Sequence, residues 1–100
     1  MSDIVFRHVF VRGRVQGVGY RAWVEDEAIM RGLDGFVRNR RDGTVEAVFA
    51  GNPETVAHMV AACRRGPSSA NVTEVEESDG DAPLLAQRPA GKGFAVLATV

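Results

Sequence analysis

Asp42-Gly43 stands near the middle of the chain between two strand-like runs, Phe36–Arg41 and Thr44–Ala50. In the second run Val45, Ala47 and Phe49 alternate with Thr44, Glu46 and Val48, the period of a strand with two distinct faces. Asp-Gly between two such runs is a strong short-range hairpin signal and predicts a two-residue type I′ turn. A central hairpin limits what the rest of the chain can do. Each of its strands must be fed or followed by a segment that lies on the same small sheet.

Those segments are legible on both sides. Ile4–Arg12 is nearly continuous in apolar character, with Val5, Arg7, Val9 and Val11 alternating against Phe6, His8, Phe10 and Arg12, as in an interior strand. Arg21–Leu33 is read as a helix offering Trp23, Val24 and Ala28 to one face, with Gly32 or Gly35 to end it. Beyond the hairpin, Asn52-Pro53 is an N-cap followed by proline at the first helical position. Val56, Met59, Val60 and Cys63 then fall at helical spacing, and Gly66-Pro67 stops the element. Asn71–Glu77 is read as a strand, residues 78–93 as an irregular excursion, and Phe94–Val100 as a short last strand. The order strand, helix, strand, strand, helix, strand, with right-handed crossovers, predicts an α+β split βαβ (ferredoxin-like, βαββαβ) sandwich. Two helices would cover one face of a mostly antiparallel sheet, in one domain spanning residues 1–100.

Composition removes several classes of function. The net charge of -1 speaks against a general nucleic-acid binder. No apolar run approaches the ~20 residues of a membrane span, and the first residues lack a secretory pattern, so a cytoplasmic protein is expected. The single cysteine, Cys63, forbids an internal disulfide, and its place in a helical stripe reads as a core thiol. His8, His58 and Cys63 have no ligand spacing, so no metal and no cofactor are expected. Ser68 and Ser69 lack a nucleophile-elbow frame. The acidic groups Glu25-Asp26-Glu27 and Glu74, Glu76, Glu77 read as solvated faces, the first also suiting the start of a helix. The basic residues are eleven arginines and one lysine, and eight of the arginines lie between Arg7 and Arg41. Most belong to a mixed, solvated surface. Arginine is also the side chain whose planar fork grips phosphate or carboxylate.

One stretch fits neither strand nor helix: Gly13-Arg14-Val15-Gln16-Gly17-Val18-Gly19-Tyr20-Arg21. It is not a Walker A loop, and it lacks the third glycine of a dinucleotide fingerprint. Gly17 and Gly19 permit a sharp turn that leaves backbone N–H groups uncovered, an anion nest. The loop runs directly into a helix start, where free N–H groups and the dipole favour an anion, and Arg21 stands at that entry. Residue types alone leave two readings, an anion site or a tight strand-to-helix turn beside a surface arginine.

The same nine residues resemble the signature of the acylphosphatase family, small cytosolic enzymes that hydrolyse acyl phosphates. A second block, Gly32–Asn39 followed by Asp42–Glu46, resembles that family too, with a weaker echo at Gly66-Pro67, Ala70 and Val72. The resemblance spans about Phe6 to Val75. It differs in detail at Tyr20, where Phe is more usual, at Phe36, where Trp is common, and at Arg31, where some members have Leu. It implies the split βαβ fold and hydrolysis of the carboxyl–phosphate bond without a metal. It implies that Arg21 binds the phosphate together with the amides of Gln16, Gly17, Val18, Gly19, Tyr20 and Arg21, and that Asn39 positions the attacking water. The expected partners are a small acyl phosphate and inorganic phosphate as product or inhibitor, with no nucleic acid and no membrane, for a monomer. Two other readings stay open: a non-catalytic anion-sensing module of the same fold, and an RNA-binding split βαβ domain. The second would need paired aromatics in a K/R-G-F/Y motif that this chain lacks.

Overall fold

A computed structural model of the chain describes residues 3–100. The alternating apolar runs form five strands: β1 (Val5–Arg14), β2 (Asp34–Asn39), β3 (Val45–Gly51), β4 (Asn71–Asp79) and β5 (Phe94–Val96). Helix α1 (Tyr20–Met30) links β1 to β2, and α2 (Pro53–Arg65) links β3 to β4. The sheet order is β4-β1-β3-β2-β5, with every pair antiparallel except β2 with β5. Strand β3 thus enters between β1 and β2, as the split βαβ plan requires.

The odd-numbered side chains of β1 and β3 face the helices. Val9, Val11, Val45, Ala47 and Phe49 are buried there with Val37, Val24, Ala28, Val56, Met59, Val60 and Cys63. Each fully buried valine of this layer contributes about 1.5–3 kcal/mol relative to exposure. The Cys63 thiol is pushed up to about 12 by burial, so it is a packing group rather than a nucleophile.

The helix ends follow their local chemistry. Asn52 Oδ1 accepts from the N–H of Glu54 at 2.9 Å and of Thr55 at 3.4 Å, and Pro53 occupies the first helical turn. At the end of α1, Leu33 N–H donates to Ala28 O at 3.0 Å and Gly32 N–H to Ile29 O at 3.0 Å. That Schellman pattern closes the helix three residues before the expected Leu33. Its start lies at Tyr20, one residue before the expected Arg21, and the acidic run Glu25-Asp26-Glu27 falls in its second turn.

The hairpin is not the two-residue type I′ turn that Asp-Gly predicts. Arg40 N–H donates to Thr44 O at 2.9 Å and Gly43 N–H to Arg40 O at 3.1 Å, which makes a three-residue loop. A type I′ turn needs positive φ at both central residues, and only Gly43 has it, at 93°. Asp42 is held otherwise: its Oδ1 accepts from the Thr44 N–H at 3.0 Å and the Thr44 hydroxyl at 2.7 Å. These bonds depress the Asp42 carboxyl below its ordinary value.

Two further boundaries moved. Strand β4 runs to Asp79, and the excursion after it contains a 3-10 helix, Ala82–Gln87. The last strand ends at Val96, although the tail continues beside β2 through Leu97 N–H to Val37 O and Val100 N–H to Asn39 O.

Candidate active site

The site begins with the two glycines between β1 and α1. Gly17 and Gly19 have φ of 73° and 82°, and nothing lies within 4 Å of where a Cβ would stand at either. Backbone conformation, not space, demands glycine here. Gly19 is the N-cap of α1 and offers no side-chain acceptor to the helix. Among the described residues, no acceptor receives the N–H of any residue from Gln16 to Ala22. Those amides form an open row at a helix start, the arrangement that binds anions.

The loop is pinned from outside. Gln16 Nε2 donates to Arg40 O at 2.7 Å and to Thr44 O at 2.8 Å, tying the loop to the hairpin. Ser69 Oγ donates to Val18 O at 2.8 Å from the turn after α2. The Tyr20 side chain is buried, its hydroxyl donating to Cys63 O at 2.8 Å, so what it presents to the loop is backbone. Burial first, then the neighbouring Cys63, raises the Tyr20 hydroxyl pKa far beyond the usual range, which leaves the group a neutral anchor.

A pocket of about 280 Å³ opens beside this loop, lined by Val15, Gly17, Gly19, Tyr20, Arg21, Ala22, Glu25, Asn39 and Val96. Its size suits a small ligand. Arg21 and Asn39, far apart in sequence, are thus brought to one cavity. Gln16 and Val18 belong to the loop but do not line the cavity. Gln16 is turned to the hairpin, and Val18 packs against the core.

The two polar side chains have opposite situations. Arg21 is half-buried and joins none of the ion pairs among the described residues. Asn39 is 9% exposed, and its Oδ1 is buried without any hydrogen-bond partner. A buried acceptor left unpaired costs about 1–3 kcal/mol. Such a group calls for a donor from outside the chain, a water or a ligand.

Asn39 is held in place by its neighbours. Arg38 and Arg40 flank it and project to the opposite sheet face, where Arg38 Nε and Arg40 Nη1 donate to Glu46 Oε1 at 2.7 and 2.9 Å. His8 Nε2 meets Glu46 Oε2 at 2.6 Å. Burial raises the Glu46 pKa, but the hydrogen bonds from Arg38, His8 and Arg40 outweigh it and hold the carboxyl below its ordinary value. The Asn39 carbonyl meanwhile accepts from Val100 N–H at 3.2 Å.

The acylphosphatase sequence profile matches residues 7–91. The chain belongs to the acylphosphatase family. An acylphosphatase of Azorhizobium caulinodans is 60% identical over 93 residues, which cover 93% of this chain and 95% of that one. Among solved structures, an acylphosphatase from Coxiella burnetii superposes with a TM-score of 0.82 at 28% identity, covering 95% of this chain and 94% of that one. One from Bacillus subtilis superposes with a TM-score of 0.79 at 32% identity, over 93% of this chain and 98% of that one. The resemblance in the glycine loop therefore extends over nearly the whole length, and the fold expected from strand order is the acylphosphatase fold. Acylphosphatases hydrolyse acyl phosphates, small substrates. No helix among the described residues is long and apolar enough to cross a membrane.

Sequence reasoning named the loop, Arg21 and Asn39. It missed the outward strut of Gln16, the Ser69 tie, and Glu25 and Val96 as pocket walls. Glu25 was within reach of a helical count, four residues after Arg21. Val96 gave no signal, since only the parallel pairing of β5 with β2 brings it there.

Proposed function

We propose that this pocket hydrolyses the carboxyl–phosphate bond with the roles divided between Arg21, the loop amides and Asn39. The phosphoryl oxygens lie against the open N–H groups of residues 16–22, and the Arg21 guanidinium closes the far side. Asn39 Oδ1 accepts a hydrogen bond from water and aims its lone pair at phosphorus, opposite the acyl oxygen. The water oxygen bonds to phosphorus as the phosphorus–acyl oxygen bond breaks, and the electron pair of that bond leaves on the carboxylate. The water proton passes to a phosphate oxygen or solvent. Carboxylic acids titrate near pH 4, so the carboxylate leaves without a general acid. Phosphoryl transfer has a loose transition state, so the water needs placement more than deprotonation. The mechanism asks for no metal and no cofactor. Fixed dipoles and one full charge hold the phosphoryl oxygens throughout.

The observation that carries this reading is that Asn39, whose buried Oδ1 has no partner among the described residues, lines the same pocket as Arg21, which joins none of their ion pairs. We assign these roles to one monomeric domain of the cytoplasm. The test is the loss of benzoyl phosphate absorbance on adding purified protein in the presence of chelator. Turnover that disappears with chelator, or inorganic phosphate binding without turnover, overturns the reading. The second outcome would favour the anion-sensing module.

A further inference from the structure

One charged side chain in the pocket has no task in that mechanism. Glu25 lines the cavity with Arg21 and Asn39. It follows Arg21 by four residues, so the two share a face of α1, about 6 Å apart along the axis. Among the described residues, they nevertheless form no ion pair, and none bonds the Glu25 carboxylate. Glu27, only two residues on, pairs with Arg31 at 2.8 Å in the same spacing. A free carboxylate near a bound phosphate is repulsive unless it faces another part of the substrate.

Position decides which part. The phosphate belongs at the open amides that begin α1, and Glu25 lies a full turn further along. Ala22 and Val96 supply apolar surface to the same cavity. The acyl end of a substrate held at the amides therefore meets apolar groups and one carboxylate.

We propose that Glu25 is a specificity residue for the acyl group, favouring acyl phosphates that carry an ammonium or another strong donor and disfavouring anionic ones. The proposal rests on the acyl phosphate reading of the pocket. Glu25 takes no part in bond making or breaking. It accepts a hydrogen bond from a substituent remote from the reacting carbonyl.

The test compares benzoyl phosphate with its 4-aminomethyl and 4-carboxy derivatives. The readout is the kcat/KM ratio of the aminomethyl to the carboxy substrate within each protein, which cancels any loss common to all substrates. Partly exposed charge pairs have modest energies, so the ratio is expected to fall about tenfold from wild type to Glu25→Gln and to fall further in Glu25→Lys. Raising the salt concentration should shrink the wild-type ratio. An equal ratio in wild type and Glu25→Gln overturns the proposal. So does a parallel loss on all three substrates, which would mark a general-base or structural role. If wild type leaves all three substrates intact, the acyl phosphate reading itself falls, a result distinct from equal ratios.

Discussion

The two helices of this protein begin in opposite ways. Helix α2 satisfies its first N–H groups from within the chain, with Asn52 as cap, Pro53 removing one donor, and Glu54 placing negative charge in the first turn. Helix α1 does none of this. Its N-cap is Gly19 in a left-handed conformation, its first turn has no acid, and its second residue is an arginine. Both starts face the same deficit of unpaired donors. At α2 the deficit is closed and the end is structural. At α1 it is left open and reinforced with the positive charge of Arg21, an arrangement that favours an anion from outside. A glycine N-cap in place of a capping side chain costs only about a few tenths of a kcal/mol of helix stability, a cost localised to residues that line the pocket.

The contrast is broken most severely by removing the charge at α1. Arg21→Gln is expected to lower kcat/KM for benzoyl phosphate about a thousandfold, as loss of a main transition-state contact does. Steady-state kinetics on folded protein would check this, and a loss below tenfold would show that the amides act alone. Asn39→Ala should lower kcat about a hundredfold while leaving inhibition by inorganic phosphate within about twofold of wild type, because it removes the water's acceptor and not the phosphate's donors. Near-wild-type turnover by this variant would remove Asn39 from the mechanism.

Gln16→Ala should have an intermediate effect. It removes both ties from the loop to the hairpin, at about 1 kcal/mol each in stability. Thermal melting should fall, and kcat/KM should drop about tenfold as loop and Asn39 lose their common frame. Unchanged kinetics with a lowered melting temperature would make the strut structural only. The smallest effect on activity belongs to α2. Asn52→Ala should cost about 1 kcal/mol of stability and leave kcat/KM unaltered. A kinetic defect there would show that the two helix starts are coupled.

The elements that could be read in advance are those with local causes. The start of α2 was legible because Asn52 and Pro53 act on their nearest neighbours. The fold followed from a hairpin flanked by two helical patterns, since few chiral arrangements join them. The turn at Asp42-Gly43 was legible as a turn but not by type, because Asp42 bonds forward to Thr44 and keeps a negative φ. The buried Glu46 with its three basic partners was hidden. Its neighbours come from β1, β2 and the hairpin, and strand pairing alone brings them together.

Gly17, Gly19 and Arg21 carry their meaning in order along the chain. Left-handed glycines before a helix start leave amides open, so the residues by themselves offered an anion site beside the plainer reading of a tight turn. Asn39 is different. An asparagine at the end of a strand is unremarkable until β3 inserts between β1 and β2, and Gln16 ties the loop to the hairpin beside it. Only that packing buries Oδ1 without a partner and turns Glu25 from a solvated acid into a pocket wall. Local backbone preferences act within a few residues. Desolvation and convergence depend on which distant segments pack together, and they decide which polar groups are left for a substrate to satisfy.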